Sequence, residues 1–386
     1  MRRPGVTAVL AAAALLAAGC SSDGEGLGDR RRSGSPTSAT SSASGRPSPT
    51  ESAAPDRGSA KVVRTVATGI ESPWGIAPLP EGDLLVSSRD SGKIYRVAAD
   101  SGKTTEVGSV PGVSPGGEGG LLGLAVPPDF ATGRMIYAYF TTASDNRVAR
   151  LLYDPDRPAG DQLGAPDTIF RGIPKGTVHN GGRIAFGPDK MLYVGTGEGG
   201  DRGLAQDKES FGGKILRMTP DGEPVHGNPD ADSVVYSYGH RNVQGLAWDG
   251  DKRLWAGEFG QDTWDELNLI EPNGNYGWPE AEGRAGKEGL IDPVEQWKPA
   301  EASPSGIAYA KGSIWMAGLR GERLWRIPLR GKKPVAEPQA FLEGKYGRLR
   351  TVVATDDGGL WLTTSNTDGR GDPGDKDDRI LRVEIS

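Results

Sequence analysis

The sequence predicts an all-β fold, a six-bladed β-propeller of four-stranded antiparallel blades. One strand pattern recurs six times, turn-forming residues punctuate it, and a leftover N-terminal strand matches the one strand the last repeat lacks. The pattern is clearest in Trp74-Gly-Ile-Ala-Pro…Asp83-Leu-Leu-Val-Ser…Lys93-Ile-Tyr-Arg-Val97. It returns in Gly182-Arg-Ile-Ala-Phe-Gly-Pro…Met191-Leu-Tyr-Val-Gly…Lys214-Ile-Leu-Arg-Met218 and in Ser305-Gly-Ile-Ala-Tyr…Ser313-Ile-Trp-Met-Ala…Arg323-Leu-Trp-Arg-Ile327. Less regular copies begin at Leu122, Gln244 and Thr351. Aligned on Ile76, Leu124, Ile184, Leu246, Ile307 and Val353, the repeats are spaced by 48, 60, 62, 61 and 46 residues. Repeats of roughly 40–50 residues carrying several strands each are a propeller signature, and longer spacings mark inserted loops. A two-sheet sandwich or a solenoid is the competing arrangement.

Each repeat reads as an inner strand A, a tight turn, strand B, a loop, and strand C. Turns such as Pro80-Glu-Gly-Asp83 and Asp356-Asp-Gly-Gly359 carry suitable chemistry. A fourth strand D follows at Thr105–Val110, Asp167–Arg171, Val234–Tyr238, Val294–Lys298 and Glu337–Leu342. The sixth repeat stops at Ser386 after its C strand, while Lys61–Ala67 precedes the first repeat. Residues 61–67 therefore complete the last blade and close the ring, hiding sheet edges an open array would expose.

Composition agrees. Glycine (59) and proline (29) make up nearly a quarter of the 386 residues, which is poor for long helices. The net charge of −6 argues against nucleic acid as a partner. A single cysteine, Cys20, excludes a disulfide scaffold and a thiolate-rich metal cluster.

Before the propeller lie two further segments. Arg2 and Arg3, the apolar run Val6–Ala18 and then Gly19-Cys20 read as a signal peptide, too short to span a bilayer. Ala17-Ala18-Gly19 before a lone cysteine resembles a bacterial lipoprotein signal, with Cys20 as the acylated residue; an ordinary secretory peptide is the alternative. Either way the mature protein is expected outside the cytoplasm, touching the membrane only through its anchor. Residues 21–60 contain no aromatic, Val, Ile or Met, so they read as a flexible tether to a propeller spanning 61–386.

With strand A nearest the axis, D-to-A and B-to-C loops share one face. The D-to-A loops supply Glu118, His179-Asn180, Gly239 to Asn242, Ser303 to Ser305, and Arg348 with Arg350. The B-to-C loops add Arg89, Glu258 to Asp262, Arg320 and Asn366–Asp378. Singly, a loop His or Arg is usually a surface residue. Converging from five repeats, they predict a pocket for a small polyanion beside a general base. Two look-alikes are set aside. Gly195-Thr-Gly197-Glu-Gly-Gly200 matches G-x-G-x-x-G, but no amphipathic helix follows it. Asp368-Gly-Arg-Gly-Asp-Pro resembles a calcium loop without the required Gly and Glu. His226, in a Pro/Gly-rich stretch, reads as structural or exposed.

Four strings are more specific: Gly120-Leu-Leu-Gly-Leu-Ala125, His179-Asn-Gly-Gly-Arg-Ile-Ala-Phe-Gly-Pro-Asp189, Tyr238-Gly-His-Arg-Asn-Val-Gln-Gly-Leu-Ala247, and Asp265-Glu-Leu-Asn-Leu-Ile…Asn275-Tyr-Gly-Trp-Pro279. Together they resemble the soluble pyrroloquinoline quinone (PQQ)-dependent aldose dehydrogenases, the glucose/sorbosone dehydrogenase family. The resemblance implies oxidation of an aldose at its anomeric C–OH to a lactone, with PQQ and calcium as cofactors. It implies His179 as the base, and Arg241 and Asn242 as the pair on the quinone oxygens. Arg320, Arg348 and Arg350 become the cations on the cofactor's carboxylates, and the carbonyls of Gly260 and Gln261 the calcium ligands. The chain departs from the pattern where Glu118 replaces a glutamine beside the base and Val178 replaces an aspartate. A carboxylate at 118 is expected to repel an anionic cofactor or to perturb the base. The competing functions are a non-catalytic ligand-binding propeller and a calcium-dependent lactonase using Glu118, Asn180, Asn242 and Glu258. Which sugar is oxidised, the electron acceptor and the oligomeric state are not written in the sequence.

Overall fold

A computed structural model describes residues 53–386; the readings for the signal peptide, Cys20 and most of the tether lie outside the described residues. The strands form six separate antiparallel sheets, each one blade. Their innermost strands are Pro73–Pro78, Leu121–Ala125, Ile184–Phe186, Val243–Trp248, Pro304–Ala310 and Leu349–Ala354, one from each repeat read in the sequence.

The inner strands crowd together because most lack a side chain at one place. In four repeats the residue before the aligned apolar position is Gly75, Gly123, Gly245 or Gly306. A Cβ on Gly123 would lie 2.2 Å from the Gly182 carbonyl oxygen, and one on Gly245 would lie 2.5 Å from that of Ser305. Backbone therefore packs on backbone around the axis. Blade three carries Arg183 at this place, and blade six carries Val352.

Apolar side chains fill the wedges between blades. Trp74 of blade one, Leu122 and Tyr139 of blade two, and Val194 and Leu216 of blade three form one such cluster, all at most 2% exposed. Burying side chains of this size is worth roughly 1.5–3 kcal/mol each. The wedges hold neighbouring sheets together along with a few backbone hydrogen bonds between blades, such as Val243 N to the Thr196 carbonyl (3.3 Å), while the strand ladders stay within their own blades among the described residues.

Closure comes from the N-terminal strand. Ala60–Thr68 runs antiparallel to Arg379–Ile385, from Ala60 opposite Ile385 to Thr68 opposite Arg379. It is the outermost strand of the sixth blade. Its Val66 and Ala67 pack with Ile76, Leu84 and Val86 of blade one, so one segment joins the last blade to the first. Residues 54–59, within the segment read as tether, are held as well. Ala54 N donates to the Leu329 carbonyl (3.0 Å), and Arg326 Nη2 donates to that of Pro55 (2.8 Å). Ser59 and Ser386 exchange backbone hydrogen bonds at 3.2 and 3.1 Å.

The five outer strands expected between residues 105 and 342 are present, within two residues at each end. Blade five gains a short hairpin strand, Lys333–Pro334, that the pattern did not announce. Helix is confined, among the described residues, to Phe130–Gly133 and a 3₁₀ turn at Arg202–Ala205.

Candidate active site

The D-to-A and B-to-C loops meet around a cavity of about 420 Å³ on one face of the ring. Glu118, His179, Arg241, Asn242, Gly260, Gln261, Arg320, Arg348 and Arg350 all line it. Six arginines face this space, since Arg89 and Arg370 join the four already named, against the carboxylates of Glu118, Asp265 and Asp368.

His179 sits where its loop is most constrained. Its φ is +55°, a left-handed conformation rarely held by a residue other than glycine, and Gly181 follows at +62°. Nδ1 lies 2.7 and 2.8 Å from the two carboxylate oxygens of Glu198, which is 1% exposed. An ionised carboxylate can only accept, so Nδ1 carries the proton and Nε2 keeps a free lone pair. In that tautomer Nε2 can accept a proton. Gly197 permits the pairing, because a Cβ there would lie 2.0 Å from the His179 carbonyl oxygen.

His240 is different in kind. It is fully buried, with Nδ1 2.9 Å from Glu258 Oε1 and Nε2 2.9 Å from Ser237 Oγ, and it stacks on Tyr276. Both nitrogens are engaged, so it is a structural residue. Glu258 Oε2 also accepts the Arg241 backbone N–H at 2.9 Å, and Asn268 donates to Oε1. Asn180 is similarly committed, between Asn146 and Gly176. These contacts occupy two of the four side chains a lactonase metal would require.

Glu118 acts on the backbone. Its Oε2 accepts the His179 backbone N–H at 2.9 Å, and its Oε1 pairs with Arg370 at 2.9 Å. The repulsive carboxylate expected from the sequence is therefore offset by a neighbouring cation.

Arg348 and Arg350 are 9% and 5% exposed and share one anchor. Asp368 Oδ2 accepts from Arg348 Nη2 and from Arg350 Nη2, both at 3.1 Å. Arg350 is further held by Ser365 Oγ (2.9 Å) and Gln244 Oε1 (3.3 Å). Burial is the main influence on Arg350 and pulls it down to about 10, leaving it cationic at neutral pH. Arg320, by contrast, is exposed at the rim.

Two side chains that line the cavity, Arg241 and Asn242, each carry a donor without a protein partner among the described residues. Arg241 Nε is buried and unsatisfied, although the guanidinium lies 5.3 Å from the Trp278 ring centroid. Asn242 is 2% exposed; its Oδ1 accepts from Gly181 N, and its Nδ2 makes no hydrogen bond among the described residues. A buried donor without a partner, such as Arg241 Nε, asks for a ligand oxygen. The loop after Glu258 is pinned in turn: Glu282 Oε1 accepts the backbone N–H of Gln261, Asp262, Thr263 and Trp264, at 2.7–3.0 Å. Asp265 Oδ1 accepts from Gly260 N at 2.9 Å. With their amides held, no protein donor reaches the carbonyl oxygens of Gly260 or Gln261 among the described residues.

Sequence reasoning passed over two residues of this site. Glu198 lies inside the glycine string set aside as a failed dinucleotide loop, and Asp368 inside the failed calcium loop. Both are acids placed just after a B strand, on the face where the basic residues gather.

Residues 70–381 match the family model described as Glucose / Sorbosone dehydrogenase. A solved structure of the PQQ-bound form of aldose sugar dehydrogenase from Streptomyces coelicolor is 71% identical, with a TM-score of 0.86, over 86% of this chain and all of that one. Aldose sugar dehydrogenase YliI of Escherichia coli K12 is 30% identical over 80% of this chain and 91% of its own length. Quinoprotein glucose dehydrogenase B of Acinetobacter calcoaceticus is 31% identical over 57% of this chain and 52% of its own.

Proposed function

The chain belongs to the Glucose / Sorbosone dehydrogenase family, and from that premise we propose a PQQ- and calcium-dependent enzyme that oxidises the anomeric C–OH of aldoses to lactones. Sugar oxidation with PQQ follows from the family and its relatives. The role of calcium, the lactone product and the residue assignments are our reading of the site.

The residues fit the group. Six arginines against three carboxylates leave the cavity cationic, suited to a tricarboxylate. Arg348 and Arg350 would hold carboxylates, oriented beforehand by Asp368. Arg320 would add a cation at the rim. The unsatisfied Arg241 Nε and Asn242 Nδ2 are donors for the quinone oxygens. The free carbonyls of Gly260 and Gln261 are hard oxygen donors of the kind calcium takes. Among the described residues no acidic or histidine cluster offers a metal site of its own, so the remaining ligands would come from the bound molecules.

When bound, PQQ supplies the electrophilic acceptor of hydride that no side chain can provide. The chain's own contribution is proton removal. His179 Nε2 accepts the sugar hydroxyl proton, and Glu198 stabilises the imidazolium that results while fixing the ring. The His179–Glu198 pair opening onto an arginine-lined cavity is the observation that carries the reading. Titrating the protein with PQQ and calcium, then assaying aldose-dependent dye reduction, tests it; no PQQ binding would leave a ligand-binding propeller.

Anchoring through Cys20 and work outside the cytoplasm are part of the same proposal, supported by the basic start and apolar run of the leader.

A further inference from the structure

The six residues that phase the repeat, Ile76, Leu124, Ile184, Leu246, Ile307 and Val353, ring a second cavity of about 310 Å³ on the axis. It reaches the inner-strand ends where the A-to-B turns begin, so it belongs to the other face of the ring. Its side chains are apolar apart from Tyr309 and one charged group, Arg183, with backbone atoms exposed between them.

Arg183 breaks the repeat. Four blades carry glycine at this place, and a guanidinium here puts a charge on the closely packed axis. Such burial is costly unless the charge is paired. Arg183 is 7% exposed, and no carboxylate reaches it within ion-pair distance among the described residues. Nε donates to the Gln244 carbonyl (2.8 Å), Nη2 donates to Thr351 Oγ1 (2.9 Å), and Cζ lies 4.5 Å from the Trp74 ring centroid. Nη1 makes no hydrogen bond among the described residues. The nearest influential charge, Arg350, has the same sign; burial and then Arg350 pull Arg183 down to about 9, so it stays cationic at neutral pH.

An unpaired, buried cation inside an apolar ring is complementary to a carboxylate carried on an apolar body. We propose that the axial cavity binds a monocarboxylate with a short aliphatic chain, its carboxylate on Arg183 and its chain among the six ring residues. Nothing in this inference depends on the sugar-oxidising reading of the opposite face.

Octanoate is the probe, titrated calorimetrically into the full chain, with octanol and sulfate as controls for the chain and the charge alone. Saturable one-site binding of octanoate is expected, with both controls weaker by about tenfold or more. Arg183→Gly restores the residue of four other repeats and abolishes the binding. Ala354→Phe keeps Arg183, narrows the cavity and weakens octanoate by about tenfold; it decides the matter should Arg183→Gly fail to fold. Arg348→Ala reports on the upper cavity and leaves octanoate binding unchanged. The proposal is overturned by octanol binding as well as octanoate, by affinity that survives Arg183→Gly or Ala354→Phe, by loss of binding in Arg348→Ala, or by no binding of octanoate.

Discussion

Glu198 holds a carboxylate oxygen 2.7 Å from Nδ1 of His179, across a loop where neither backbone has room for a larger neighbour than Gly197. The imidazole is thereby fixed in one tautomer with one nitrogen available. His179→Gln keeps size and hydrogen bonding but cannot take up the proton. Turnover is expected to fall ~10²–10⁴-fold, while PQQ still binds. Glu198→Gln should lower kcat less and leave PQQ affinity alone. Parent-like turnover in His179→Gln would remove the assignment. Because both ring nitrogens of His240 are engaged, His240→Gln should instead cost stability, read as a lower melting temperature.

Arg348 and Arg350 are expected to act in retention of the cofactor. Losing one charge-assisted hydrogen bond costs roughly 1.5–3 kcal/mol, so Arg348→Ala should weaken PQQ binding by about one to two orders of magnitude. Turnover should return at saturating PQQ. Equilibrium titration of the apoprotein gives the answer, and an unchanged Kd in both Arg348→Ala and Arg350→Ala would point to a propeller with another ligand.

Lys214 gives the fold a pH dependence. Its side chain is wholly buried, and Nζ donates to the carbonyls of Leu204 (2.6 Å), Ala205 (3.1 Å) and Gly212 (2.6 Å). Burial lowers it from 10.5 to about 8. A depressed pKa in the folded state makes this group's contribution greatest above pH 10.5 and smaller as pH falls to about 8. Between those values it should raise stability with pH, against whatever other groups do. Lys214→Met should remove that component and, by stranding three carbonyls, lower stability by about 1–3 kcal/mol. Identical pH profiles of melting for the two proteins would refute the argument.

Contacts of residues 54–59 set where the chain can be shortened. A chain starting at Ala53 should melt like the parent. One starting at Ala60 deprives the buried Arg326 of the Pro55 carbonyl and should melt lower. Removing residues 60–68 as well uncovers the strand Arg379–Ile385 and the wedge at Val66, and should lower the melting temperature much further. Equal melting of the last two chains would count against closure by this strand.

Much of this was legible because a repeat aligns residues that no single strand would reveal. The apolar positions at 76, 124, 184, 246, 307 and 353 specify both the number of blades and the axis on which they meet. Convergence of His179, Arg241, Arg320, Arg348 and Arg350 on one cavity follows from loop faces alone. Glu198 and Asp368 were missed for a shared reason. Each sits in a string whose spacing suggested a different mechanism, and their partners lie 19 residues away for Glu198 and 18 and 20 away for Asp368. Pairing each B-to-C loop with the D-to-A loop of its own blade would have found them, since Glu198 faces His179 and Asp368 faces Arg348 and Arg350 in that way. Arg183 was visible as a broken glycine in the repeat, but its solitude among cations is a fact of packing.

The pairing of Ala60–Thr68 with Arg379–Ile385 also ties the site to a distant part of the chain. Its two strands lie at opposite ends of the described residues, so neither is covered until both are in place. More than 300 residues separate the partners, which makes this a pairing of very high sequence separation, the kind that costs most chain entropy to close. Arg348, Arg350 and Asp368 belong to the blade that this strand completes, so the cationic side of the cavity depends on the long-range pairing. Loss of that pairing would be felt at the buried arginines of the cavity as well as at the rim of the ring.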